Sequence, residues 1–274
     1  MLFHFKLRPL EDVAPWGDED KPTLSWFSLT DGWCWWEVGG QQLFRSSQAW
    51  IDHWVTEYPK LGKELPYVDY QIVRPWEDLL DHLPAILDPV PDDLFHRAQD
   101  LEKWESLQKK AFGWAEAKND EVSWDLQDLA FRWWWSRTWD AGYLRRPPKI
   151  WMWTQGEAFH LKWDNRDVLD DGVIVWAATF GEITMPVAAF IEEVMSFHER
   201  LMAAMAERVN AVLSGALRPE IAIDLDWLVK EQEDRSTWLQ NTLTMRRQNQ
   251  NWEEARAAIS TIERMCYNND VEGL

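Results

Sequence analysis

Four aspartates fall within one nine-residue stretch, Asp164-Asn165-Arg166-Asp167-Val168-Leu169-Asp170-Asp171-Gly172, and such a density of carboxylates is the nearest approach in this sequence to a cation site. A calcium loop places oxygen ligands at alternate positions and ends on a bidentate Glu at the twelfth. Here Arg166 stands third and Val175 twelfth, so the stretch reads as a solvated hairpin loop. Its acids, Asp164, Asp167, Asp170 and Asp171, are then candidates to meet a basic partner or a divalent cation. Other patterns fail on a single residue or on context. His198-Glu199 begins a zinc-protease helix, but Met202 stands where the second His belongs. Ser106 and Lys109 match S-x-x-K, yet Glu102, Lys103, Glu105 and Lys110 around them describe a charged surface, and the partner motifs of that chemistry are missing. The sequence contains no G-x-G-x-x-G, G-x-x-x-x-G-K-[ST], G-x-S-x-G or C-x-x-C. Its six histidines are scattered, with no two at metal-ligand spacing on one predicted face. No catalytic, cofactor or resident-metal set is therefore assigned.

Aromatic residues are the second source of chemistry. The chain holds 22 tryptophans in 274 residues, several times the usual share. They concentrate between Ser123 and Trp139, where helical spacing puts Val122, Leu126, Leu129 and Trp133 on one stripe and Trp124, Phe131 and Trp135 on nearly the opposite one. A helix apolar on almost every side is ordinarily buried on every side. Asp125, Asp128, Arg132 and Arg137 interrupt it and admit a second reading. In that reading Trp124, Trp134, Trp135 and Trp139 line a groove that stacks a flat ligand or receives a partner's anchor residue.

These residues need elements to hold them. Phe3 to Leu7, the pair of runs on either side of Gly39-Gly40, and Tyr67 to Val73 alternate as strands, with the paired glycines supplying a hairpin turn. Pro75 opens a helix through Trp76, Leu79, Leu80 and Leu83. One helix is predicted over 92–118, from the stripe Leu94, Leu101, Trp104, Leu107 and Ala111, and a second from Ser123 to about Trp139. After the Arg145-Arg146-Pro147-Pro148 break the period returns to two. Ile150 to Trp153, Ala158 to Trp163 and Val173 to Trp176 then form an antiparallel meander. A long helix follows from Pro186 to Gly215, then helices from Asp224 to about Arg247 and from Trp252 to Cys266. Strands and helices in separate clusters predict an α+β fold, with antiparallel hairpins and a meander packed against a largely helical middle and C-terminal half. A single domain over 1–274 is expected, with 145–149 the one candidate boundary.

Formal net charge is −19, from 47 acidic and 28 basic residues. A field of that sign opposes the phosphate contacts on which nucleic-acid affinity rests and favours encounter with a basic protein. The longest apolar run, Val173 to Phe180, is far too short to cross a membrane. The N-terminus lacks the apolar stretch of a secretory signal, and Cys34 and Cys266 read as reduced thiols, so a cytoplasmic location is expected.

Three groups of residues carry a resemblance. They are Phe5-Lys6-Leu7-Arg8-Pro9-Leu10 with Pro15-Trp16-Gly17; Leu24-Ser25-Trp26-Phe27 with Thr30-Asp31-Gly32; and Tyr67-Val68-Asp69-Tyr70-Gln71 with Trp76-Glu77-Asp78-Leu79-Leu80. With the later run from Ile150 to Asn165 and Pro186 to Arg200, the chain resembles a family of bacterial proteins catalogued as a domain of unknown function. The resemblance implies an intracellular bacterial protein of a sort found beside secreted toxins, and its motifs carry no mechanism and no active-site residues across. The expected function is thus a non-enzymatic binding protein, an immunity protein that neutralises a basic toxin by direct contact. The alternative is a glycan- or nucleotide-directed hydrolase whose site is assembled from dispersed Asp, Glu and Trp.

Overall fold

β2 (Asp31–Val38) is the centre of a four-stranded antiparallel sheet, with β1 (Phe3–Leu7) along one edge and β3 (Gln41–Leu43) and β4 (Val68–Gln71) end to end along the other. The computed structural model in which these elements are seen describes residues 1–18, 20–57, 66–244 and 250–268. Gly39 and Gly40 make the β2–β3 turn at φ of +54° and +77°, values that Cβ-bearing residues resist, as the sequence predicts. Strand alternation then sorts the side chains. Phe3, Cys34, Trp36 and Val38 enter the core. His4, Lys6, Trp33, Trp35 and Glu37 share the other face, where Trp35 is stacked between His4 and Tyr67 at 5.3 and 4.3 Å and the Arg8 guanidinium lies 4.6 Å from the Trp33 ring.

Helix α1 (Gln48–Glu57), for which the sequence pattern gave no expectation, buries none of its residues completely. Helix α2 (Val73–Ile86) carries Pro75 in its first turn and buries Trp76, Leu79, Leu80 and Leu83, as expected. The helix predicted over 92–118 is two helices, α3 (Asp92–Gln99) and α4 (Leu101–Lys118). Asp100 leaves the helical region at φ −85°, ψ 82°, and its carboxylate accepts from the Lys103 backbone N–H, so one acidic residue caps a new helix where the stripe alone implied continuity. α5 (Glu121–Trp135) is capped likewise by Asp120 and ends four residues earlier than expected. The buried Arg137 guanidinium donates to the Trp133 and Asp88 carbonyls at 2.6 and 2.7 Å. Residues 137–139 then run beside β5 (Ile150–Gln155), with Trp139 N–H donating to Ile150 and Met152 N–H to Arg137. Burial outweighs the charge of Asp88 and lowers the Arg137 pKa to about 10.

The second sheet also departs from expectation in one strand. β5 pairs with β6 (Ala158–Asp164), but Val173 and Ile174 form β8 (Val173–Ile174) in a separate ribbon with β7 (Leu169–Asp170); the third strand is β9 (Phe180–Pro186). Gly181 makes that pairing fit, because a Cβ there would overlap the Trp163 ring lying across it. Helix α6 (Val187–Leu213) starts after Pro186 and closes before Gly215, as the sequence indicates; α7 (Leu225–Thr244) and α8 (Trp252–Asn268) follow. The predicted end of α7 near Arg247 lies outside the described residues.

The fold is α+β, and two large hydrophobic clusters organise it, with a third, minor one of Val168, Val175 and Trp176. The larger joins both sheets through α6, whose Phe197 stacks on Phe3 and whose Phe190 stacks on Phe159. The smaller lies among α3, α4, α5 and α8. β5 serves both, with Ile150 and Met152 in the first and Trp151 and Trp153 in the second, which is why five of its six residues are buried. Cys34 belongs to the first cluster and Cys266 to the second.

Candidate functional site

The acidic loop neutralises itself. Asp164 holds Arg166 at 2.6 Å, Asp167 holds Lys149 at 2.8 Å and Asp171 faces His53 at 3.4 Å. The Asp170 side chain is wholly buried and meets Arg145 and Arg146 at 2.8 and 2.9 Å. This corrects the expectation that all four acids face a basic partner or a cation: Asp170 is a structural anchor, and Asp164 and Asp167 already have cations. The Arg166 hydrogen bond also keeps the Asp164 carboxyl below the usual carboxylate range. Among the described residues no three His, Cys, Asp or Glu side chains are grouped to hold a metal ion. The cations responsible stand in the sequence at 145, 146 and 149, but only the β5–β6 hairpin carries them to the loop.

The aromatic segment divides. Trp134 and Trp139 are each 3% exposed and belong to the two cores, so neither lines a groove. Trp139 follows the chain out of the helix, and its ring meets Trp36 edge-on at 4.7 Å. Trp135 is 40% exposed and donates its indole N–H to Gln108 of α4 at 2.8 Å, while the half-buried Trp124 meets Phe112 of α4 edge-on at 5.5 Å. Phe112 is half exposed, and the sequence reading missed it because it sits one position from the buried Ala111 of the α4 stripe. The stripe drawn through Val122 and Leu129 is also corrected, since both are exposed.

These positions have a simple geometric cause. Residues 124, 128, 131 and 135 recur every three or four positions along one side of α5, and 108 and 112 do so on α4. Phe131 fills the bottom of the seam between the helices, in contact with Trp104 at 5.4 Å, and Trp124 and Trp135 stand above it at the two ends. Asp128 and Arg132 pair with each other along the rim. What remains is a two-helix face with three accessible aromatic rings, an arrangement suited to holding an apolar anchor of another molecule rather than to moving a proton.

Two other features escaped the sequence reading. A recess of about 680 Å³ opens between the β2–β3 turn and residues 177–178, lined by Glu37, Gln41, Gln42 and Arg45; Gln42 donates to Glu37 and accepts from Arg45 and Tyr67. Asp78 on α2 is buried beside Arg74 at 3.2 Å. Burial outweighs that pairing and pushes its pKa up to about 7.

Fold and surface together define an α+β protein with an aromatic two-helix face. The chain belongs to the family of unknown function DUF5984, whose model matches residues 2–258. No curated protein and no solved structure matches it. Among the described residues no helix is long and apolar enough to cross a membrane.

Proposed function

We propose that this chain is a non-enzymatic binding protein that meets a basic protein partner through the Phe112, Trp124 and Trp135 face of α4 and α5, acting in the cytoplasm as an immunity protein does when it covers the working surface of a toxin. The observation that carries the reading is the exposure of Phe112 and Trp135 on adjacent helices, with the half-buried Trp124 beside them, in a chain that buries most of its other tryptophans. Aromatic anchors supply much of the energy of protein interfaces, and a net charge of −19 speeds encounter with a cationic partner. The exposed carboxylates Asp167 and Asp171 add to that field without holding the partner by themselves.

The test is co-expression with the product of the adjacent gene in cells that the product kills. Wild type is expected to restore growth and to form a complex weakened by salt. The triple variant Phe112→Ala, Trp124→Ala, Trp135→Ala is expected to fold and to lose both properties. Rescue by the triple variant at the wild-type level would rule out this face as the contact; absence of any complex or rescue with wild type would rule out the immunity role.

A further inference from the structure

A cleft of about 340 Å³ lies between α3 and the outer face of β6 and β9, away from the α4–α5 face. Its wall is a shelf of rings. His160 lies flat on Trp153, with ring centres 5.4 Å apart and planes within 8°, and Phe95 of α3 leans on both at 5.3 and 5.9 Å. Thr184, opposite His160 in the sheet register, holds the imidazole Nδ1 at 3.1 Å and fixes the ring plane. Burial pulls the His160 pKa below its ordinary value, so the shelf is uncharged at neutral pH.

The floor of the cleft is charged in an unusual way. Lys162 and Glu182 are direct cross-strand partners on β6 and β9, and opposite charges so placed normally pair. They do not. The Lys162 ammonium turns instead to the Gln99 carbonyl at the end of α3, at 3.1 Å, which uses one of its three donors. Asp100, the next carboxylate along the chain, is held by Lys103 at 2.8 Å. Among the described residues Glu182 has no cation within ion-pair distance. The cleft therefore shows a separated ammonium and carboxylate beside an aromatic shelf. One further donor is unused: Trp153 is 6% exposed, and its buried indole N–H has no hydrogen-bond partner among the described residues.

We propose that this cleft binds a free aromatic amino acid, with the ring against Phe95 and His160, the α-carboxylate on Lys162 and the α-ammonium on Glu182. Size supports this class. Small-molecule sites run from about 300 to 1,000 Å³, and this one stands near the lower bound, enough for a single ring with its head group and too small for a nucleotide or an oligosaccharide. The two charges explain why a zwitterion is favoured over a simple acid or amine, since either of those leaves one floor charge unanswered.

The experiment is calorimetric titration of the full chain with L-phenylalanine, with 3-phenylpropionate, which lacks the ammonium, and with phenethylamine, which lacks the carboxylate. L-Phenylalanine is expected to bind at least tenfold more tightly than either truncated ligand. Lys162→Met is expected to weaken L-phenylalanine at least tenfold and leave phenethylamine unchanged; Glu182→Gln is expected to weaken L-phenylalanine and leave 3-phenylpropionate unchanged. The ligand series on wild type needs no variant, so a substitution that disturbs folding does not blur the result. No binding of L-phenylalanine at millimolar concentration, or binding indifferent to both substitutions, overturns the proposal.

Discussion

On the inner side of α5, Trp133 and Trp134 are closed in by α4, α8 and β5; on its outer side, Trp124 and Trp135 stand in an open seam with α4. All four are the same residue on one helix. Their difference is decided by what packs against each side, which shows that the aromatic excess in this chain is two populations, one structural and one accessible. The aspartates of the 164–171 loop divide in the same way, with Asp170 sealed beneath Arg145 and Arg146 while Asp167 and Asp171 stay about two-thirds exposed.

This division is breakable by measurement. Trp133→Ala should cost about 3–5 kcal/mol, because a fully buried ring leaves a cavity that its neighbours fill poorly. Urea denaturation measures it, and a cost under about 1 kcal/mol would erase the distinction between the two sides. Asp170→Ala should cost about 2 kcal/mol through loss of two charged hydrogen bonds. Asp167→Asn and Asp171→Asn should each stay within about 0.5 kcal/mol, and equal effects at all three positions would show the loop to be uniform.

Asp78 sharpens the comparison from the interior side. Its folded pKa is raised to about 7 from an ordinary value of 3.8, so between those limits the folded state binds more proton than the unfolded one. Its contribution is fully present below about pH 4 and is lost as pH rises through 7. Asp78→Asn should therefore gain stability relative to wild type on going from pH 5 to pH 8, by at most about 3 kcal/mol, since only the stretch from pH 5 to about 7 lies between the unfolded and folded values within that window. Melting curves at the two pH values read the sign directly, and an Asp78→Asn variant that loses stability relative to wild type as pH rises contradicts it. The outer seam should also respond weakly: Trp124→Ala and Trp135→Ala should each cost about 1 kcal/mol or less in stability, whatever they do to partner binding.

Most elements were legible because their signals are local. Gly39-Gly40 dictates a turn, Pro75 and Pro186 mark helix starts, and the α6 residues Phe190, Val194, Phe197, Leu201, Met205 and Val212 repeat at helical spacing and are buried. The misread elements turn on competition between local and distant partners. Asp100 breaks a stripe that hydrophobic spacing alone would continue, because a short carboxylate can satisfy a backbone N–H. Val173 and Ile174 are β-prone, yet Leu169 and Asp170 claim them, and β9 takes the place beside β6 where Gly181 admits the Trp163 ring. Two of the three rings of the proposed face were named from sequence, Trp124 and Trp135. Phe112 was not, because it shares a helix with a buried stripe one position away.

The sequence by itself determined the α+β class, the strong negative charge, the hairpin, the long helices and the concentration of indole rings around α5, since each depends on residue type and on spacing within one element. Tertiary structure alone decided which tryptophans face out, which aspartates are already paired, and that His160, Lys162 and Glu182 share a cleft with Phe95. Those outcomes depend on side chains separated by tens of residues, and no period within a single element records which distant surface will close over it.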